Sequence, residues 1–197
     1  MTKFAFAALI AALPLAAQAV PLQADPAHST AGFSVKHMKV TTVRGQFDKF
    51  NSTLDWNEAD PSKSTITADI DSSSIDTHQE ARDKDLKSAK FFDVAKYPTI
   101  TFKSTKVEKS GDGFKVTGDL TMHGVTKPVT LNVETDGKPH KTPMGSTIFN
   151  ASAKGSLKRS DFGLSWNAAI EGGGVIVSDE VQLEIDAEYS VPKPAAK

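Results

Sequence analysis

The chain contains no cysteine. That absence excludes disulfides, thiol catalysis, Cys-ligated zinc, iron–sulfur clusters, covalent haem attachment and a lipoprotein anchor together. An excess of either charge is lacking as well, since 23 Lys+Arg stand against 24 Asp+Glu. With no long run of one sign, there is no electrostatic footprint for nucleic acid or for an anionic membrane surface. Helical periodicity is scarce, and beyond the N-terminal stretch no segment approaches the ~18 uninterrupted apolar residues of a membrane span. What remains is a chain of 197 residues, 39% hydrophobic, which suits one soluble domain and a ligand recognised by apolar burial.

The N-terminus reads as an export signal. Lys3 precedes an apolar stretch from Phe4 to Ala16, followed by Ala17-Gln18-Ala19, an A-x-A cleavage signature. The stretch is too short to span ~30 Å of hydrocarbon, and Pro14 interrupts it. The expectation is cleavage after Ala19, a periplasmic mature chain starting at Val20, and no integral membrane segment in that form. A barrel domain over 20–190 and a fraying polar tail over 191–197 complete the expected organisation.

From Ser29 onward the dominant pattern has period 2, which marks strands with one buried and one wet face. The first, about Ser29 to Val40, places Ala31, Phe33, Val35 and His37 on one face. The second, about Thr42 to Trp56, changes phase between Phe47 and Phe50, which predicts a β-bulge near Asp48-Lys49. Ile66, Ala68 and Ile70 define a third strand, and Ile100 with Phe102 a fourth. After the turn at Ser110-Gly111-Asp112-Gly113, a fifth carries Phe114, Val116, Gly118, Leu120 and Met122. Val129 to Val133, Phe149 to Leu157 and Val181 to Tyr189 supply three more. Between strands three and four, Thr77 to Lys90 lacks β-branched alternation after Thr77 and is rich in Ala, Glu, Lys, Arg and Leu, so a helix is expected there as a lid. The fold class is therefore all-β, an eight-stranded antiparallel up-and-down barrel with one helical excursion.

A barrel of this size is either packed solid or holds one small ligand. Large inward residues such as Phe33, Phe47, Phe102 and Phe149 alternate with Ala31, Gly45, Ala68, Gly118, Ala151, Ala153 and Gly155. The small residues favour a cavity, while barrel corners and strand coiling offer another use for the glycines.

Catalytic and metal motifs are missing. There is no G-x-S-x-G, and His28, His37, His78, His123 and His140 are scattered with neither H-E-x-x-H nor H-x-H spacing, so no catalytic residue and no metal site is assigned. The run from Asp69 to Glu80 mimics part of a calcium loop but has Ser74 where Gly is required, and Asp69 and Asp71 fit the wet face of strand three better. The glycine clusters at 111–113 and 172–174 lack phosphate-loop context and read as turns. His37 faces inward, where its imidazole either bonds a ligand's polar group or is satisfied by a backbone carbonyl. Arg82 and Arg159 sit near barrel mouths, either as structural clamps or at a ligand headgroup.

Several strings at consistent spacing resemble the YceI-like family of exported lipocalin-like proteins. They are Phe33-Ser-Val-Lys-His37-Met38, Val43-Arg44-Gly45-Gln-Phe47, and Arg82-Asp-Lys-Asp-Leu86-Lys-Ser88-Ala-Lys-Phe91-Phe92-Asp93. Lys96-Tyr97-Pro98 through Phe102, Gly118 through Val129, Arg159-Ser-Asp161-Phe162-Gly163 and Ser178-Asp-Glu180-Val181 continue the match over nearly all of the mature chain. Asp85 and Lys90 depart from the commonest pattern, which has His at the first position and an acid at the second. The resemblance implies a lipocalin-like barrel whose apolar tunnel holds a polyisoprenoid chain, such as an isoprenoid quinone tail. The ligand is then expected to touch Phe33, Val35, His37, Phe47, Leu86, Phe91, Phe102, Leu120, Met122, Phe149, Ala151, Phe162 and Trp166. No cofactor beyond that lipid is expected. The function expected is a non-enzymatic carrier whose partner is an isoprenoid lipid or quinone; the alternatives are an enzyme acting on such a lipid and a solid-core, stress-related structural protein. Strand edges at the barrel seam leave a homodimer open.

Overall fold

The computed structural model describes residues 21–171 and 173–191; residues 1–20 (which include the expected export signal), Gly172 and the tail from residue 192 lie outside them. Among the described residues twelve strands form one sheet: β1 (Leu22–Ala24), β2 (Thr30–His37), β3 (Thr41–Phe47), β4 (Phe50–Asp55), β5 (Thr65–Asp71) and β6 (Ile75–Asp76) come first. The helix α1 (Glu80–Lys87) follows, then β7 (Thr99–Ser110), β8 (Gly113–Met122), β9 (Val125–Glu134), β10 (His140–Lys141), β11 (Thr147–Lys158) and β12 (Val177–Ser190).

These elements occupy eight barrel positions, because β1 continues into β2, β3 into β4, and short β6 and β10 extend the edges of β3 and β11. Neighbours pair antiparallel throughout. The barrel closes through β12, which pairs with β11 from Ile148↔Ser190 to Lys158↔Glu180 on one side and with β2 and β1 on the other. This is the lipocalin-like meander. Closure removes the long free edges that would template association.

Local chemistry sets the breaks. β3 stops at Phe47 and β4 resumes at Phe50, with Asp48 and Lys49 exposed between them, so the phase change is a real interruption in one long strand. β2 ends at His37 rather than Val40, since Met38 and Lys39 take the left-handed conformation at φ 51 and 67. The helix is also shorter than Thr77 to Lys90. Thr77 is held by Asp83 through both its backbone N–H, at 2.9 Å, and its hydroxyl, and His78 has φ 59, so the chain enters the helix only after Gln79 caps the Arg82 N–H. Ser88 ends it with φ -72 and ψ 167.

Three buried clusters lie toward the two ends of the barrel. At the helix end Ile100, Met122, Val129, Phe162 and Leu164 pack together. At the far end Leu54, Phe149, Ala187 and Tyr189 form one group, and Val107, Phe114 and Val116 another, with Trp56 touching both. Between these ends the inward side chains of β12 at Val181, Leu183 and Ile185 are only half-buried, although Gln182, Glu184 and Asp186 on the other face are the exposed ones. An inward apolar residue that is not fully buried faces a space.

Candidate ligand cavity

The barrel is not packed solid. It encloses a cavity of about 520 Å³ that runs from α1 and Trp166 at one end to Trp56, Phe114 and Phe149 at the other. Its wall is almost wholly apolar, supplied by alternate residues of every long strand, and its volume lies within the range of small-molecule sites.

The glycines help to open it in a way that side-chain size alone does not convey. A Cβ at Gly45 would meet the Phe33 ring at 2.6 Å, and one at Gly118 would meet the Phe102 ring at 2.4 Å. The tip of each ring lies over a glycine of the neighbouring strand. Phe33 and Phe102 thus line the lumen without filling it.

Of the residues expected at the ligand, Phe33, Val35, Phe47, Phe102, Leu120 and Met122 line the walls, and Phe149 and Ala151 the far end. His37, Leu86, Phe91 and Trp166 line the helix end. Phe162 does not belong to the wall. It is 1% exposed and packs with Ile100, Met122, Val129 and Leu164 behind it, because the 3₁₀ turn at Arg159–Phe162 directs Arg159 into the lumen and Phe162 into the adjoining core.

Residues outside that expectation complete the lining. Ile66, Ile70, Val116, Val133, Leu183 and Ile185 share the inward parity of their strands, so their positions were legible from the period-2 pattern. Leu164 and Ile176 reach the wall from an irregular segment that has no period to read.

The two ends differ in polarity. At the far end Trp56 stacks against Phe149 at 4.8 Å and edge-on against Phe114 at 5.5 Å. Its Nε1 is the one buried side-chain polar atom, among the described residues, with no hydrogen-bond partner. Beside it, Ser52 donates to the Thr67 carbonyl at 3.0 Å, so the Tyr189 hydroxyl is the donor in its 2.8 Å bond to Ser52. Burial pushes the Tyr189 pKa up, and the Ser52 bond opposes this.

At the helix end, Arg82 donates to the hydroxyl and carbonyl of Thr77, each at 2.7 Å, and so clamps the start of α1. Arg159, 8% exposed, donates from Nε to Ser178 O at 3.0 Å and from Nη1 to Leu164 O and, at 2.9 Å, Trp166 O. Both arginines therefore serve as clamps of irregular backbone. His37 is half-buried on the wall, and its imidazole makes no hydrogen bond among the described residues. The backbone-satisfied alternative for His37 is not what the structure has.

Asp85 and Lys90, the two departures from the common pattern, face each other. Lys90 Nζ lies 3.5 Å from Asp85 Oδ2 and 4.0 Å from the centre of the Trp166 ring, which itself stacks on Phe91 at 5.2 Å. The pair bridges α1 to the aromatic rim of the mouth.

A closed antiparallel barrel around an apolar cavity defines a lipocalin-like protein, and the comparisons with known proteins agree. Residues 22–189 match the YceI-like domain, and the chain belongs to that family. It is 40% identical to a UPF0312 protein of Staphylococcus aureus strain MSSA476 over 85% of this chain and 95% of that one. Among solved structures it is similar to a Campylobacter jejuni YceI protein, at 31% identity and a TM-score of 0.69 over 80% of this chain and 90% of that one. Burkholderia cenocepacia BcnA has the same fold, at 24% identity and a TM-score of 0.70 over 84% and 98% of the two chains. So does a polyisoprenoid binding domain from Saccharophagus degradans implicated in plant cell wall breakdown, at 17% identity and a TM-score of 0.59 over 89% and 99%. Among the described residues, no helix is long and apolar enough to cross a membrane.

Proposed function

We propose that this protein is an exported, periplasmic carrier that holds the chain of a polyisoprenoid lipid, an isoprenoid quinone or a polyprenyl compound, inside the barrel. The observation that carries the reading is the cavity of about 520 Å³ with an almost wholly apolar wall. Left empty, a space of this size forfeits on the order of 10 kcal/mol of packing at ~24 cal/mol per Å³, comparable to the whole stability of a domain. Water finds few partners on such a wall. An isoprenoid chain does the opposite: at ~0.8 kcal/mol per buried CH₂, each five-carbon unit contributes roughly 3 to 4 kcal/mol before ordering costs. The description of the Saccharophagus degradans domain as polyisoprenoid binding supports the same ligand class. The lining offers no nucleophile, base and orienter in mutual contact among the described residues, so binding rather than turnover is the activity proposed.

The test is native mass spectrometry of the protein purified without detergent from the periplasm of its own cells, followed by organic extraction. A bound species with an isoprenoid tail is the expected result. An empty protein that also fails to take up added isoprenoids overturns the reading.

A further inference from the structure

A guanidinium buried against an apolar cavity is the least expected group in this barrel. Arg159 is 8% exposed and lies on the cavity wall. Its Nε and Nη1 are taken by the neutral carbonyls of Ser178, Leu164 and Trp166. Its Nη2 is accessible and has no hydrogen-bond partner, and the side chain has no ion pair, among the described residues. Asp179 acts on it only through space, because the Asp179 carboxylate is held by the backbone N–H of Ser160 at 3.0 Å and its hydroxyl at 2.7 Å. A buried cation without a counter-ion is costly, and the open space beside it is where an anion can be supplied.

The other charged groups at this end are already engaged. Arg82 is committed to Thr77, and Asp85 to Lys90. His37 lines the wall at this end as well, and its imidazole has no hydrogen-bond partner among the described residues.

We propose that Arg159 anchors the ligand's polar end, with Nη2 donating to an anionic oxygen of the phosphate or carboxylate class, while the apolar chain runs toward Trp56. The assignment rests on the lipid-carrier reading and narrows it. The preferred ligand is a long apolar chain that ends in an anion, above the same chain ending in a neutral hydroxyl. Selection of the chain and selection of the head then reside at different ends of one cavity.

The experiment compares geranylgeranyl monophosphate, geranylgeraniol and inorganic phosphate by titration calorimetry on the delipidated wild-type protein, Arg159→Gln and Arg159→Lys, with circular dichroism as the check on folding. The wild type binds the phosphate chain about tenfold or more tighter than the alcohol, the value of one charge-assisted hydrogen bond. In Arg159→Gln that ratio falls to within about twofold while alcohol binding persists, and Arg159→Lys lies between them. Equal affinity of the wild type for phosphate chain and alcohol overturns the headgroup assignment and leaves the carrier reading standing; this arm needs no variant to fold. Equal loss of both ligands in a folded Arg159→Gln makes the residue a structural clamp only. Inorganic phosphate binding as tightly as the lipid makes this a free-anion site and overturns the lipid assignment. Failure of the wild type to bind either chain sinks the carrier reading and the anchor with it.

Discussion

The two ends of the barrel solve different problems. At the far end Leu54, Phe149, Ala187 and Tyr189 are buried on the paired strands β4, β11 and β12, and Trp56 with Phe114 closes the bottom. The helix end is covered by α1, which buries no residue and is tied down by Arg82, Asp83 and the Lys90–Asp85–Trp166 contacts. Strand pairing plus apolar burial makes a floor that opens only with the whole fold, whereas a short polar helix on a few hydrogen bonds can open at the low free energies typical of lids. Ligand entry is therefore expected at the helix end.

The sharpest test of that contrast pairs one aromatic from each end. Phe149→Ala is expected to cost about 3–5 kcal/mol in denaturant unfolding, since a fully buried ring is removed from a strand-held cluster. Phe91→Ala, on a half-buried ring at the mouth, is expected to cost less than half of that. Equal losses erase the distinction between the ends.

Filling the lumen between them comes next. Ala153→Leu, inward on β11 and opposite Ile185, is expected to lower lipid occupancy about tenfold, the equivalent of ~1.4 kcal/mol, with stability nearly unchanged. Retained lipid together with an overpacking loss of ~1–3 kcal/mol contradicts an open lumen at that position.

Tyr189→Phe removes the bond to Ser52 and is expected to cost about 1 kcal/mol at neutral pH. The Tyr189 pKa is raised in the fold, so its contribution is intact below the ordinary tyrosine value of about 10 and is lost as pH rises through the folded value. Above about pH 10 the unfolded chain ionises first, and wild-type stability falls. Tyr189→Phe flattens that alkaline slope, and an unchanged slope assigns it to other groups.

The smallest effect belongs to the rim. Lys90→Ala loses the cation–π contact with Trp166 and the ion pair with Asp85, for about 0.5–1 kcal/mol at a half-exposed site. Its signature is faster lipid exchange by stopped-flow fluorescence rather than a change in unfolding midpoint; an unchanged exchange rate removes Lys90 from the lid.

Alternation along the chain was sufficient for the long strands but not for the short β1, β6 and β10, because a side-chain period of 2 is a local property that two or three residues are too few to display. It located the interruption at Asp48-Lys49, the inward face of β12 and most of the ligand wall. Composition overstated the helix. Thr77 and His78 look helical or neutral by propensity, yet Asp83 captures Thr77 and the positive φ at His78 diverts the chain, so a side-chain contact outweighed a weak preference. Phe162 was misplaced for a related reason: in a 3₁₀ turn no alternation assigns faces, and packing sent Phe162 into the core and its neighbour Arg159 into the lumen.

What the sequence by itself determined is the all-β barrel, its order of strands and the apolar character of its interior, since these follow from local periodicity and composition. The tertiary structure alone decided how much of that interior stays open, because the volume depends on Phe33 and Phe102 lying across glycines of neighbouring strands. It also decided which polar groups face the lumen. The contact of Lys90 with Trp166 joins segments distant in sequence at the mouth, and the open Nη2 of Arg159 follows from the course of the irregular backbone around it, so no local pattern encodes either.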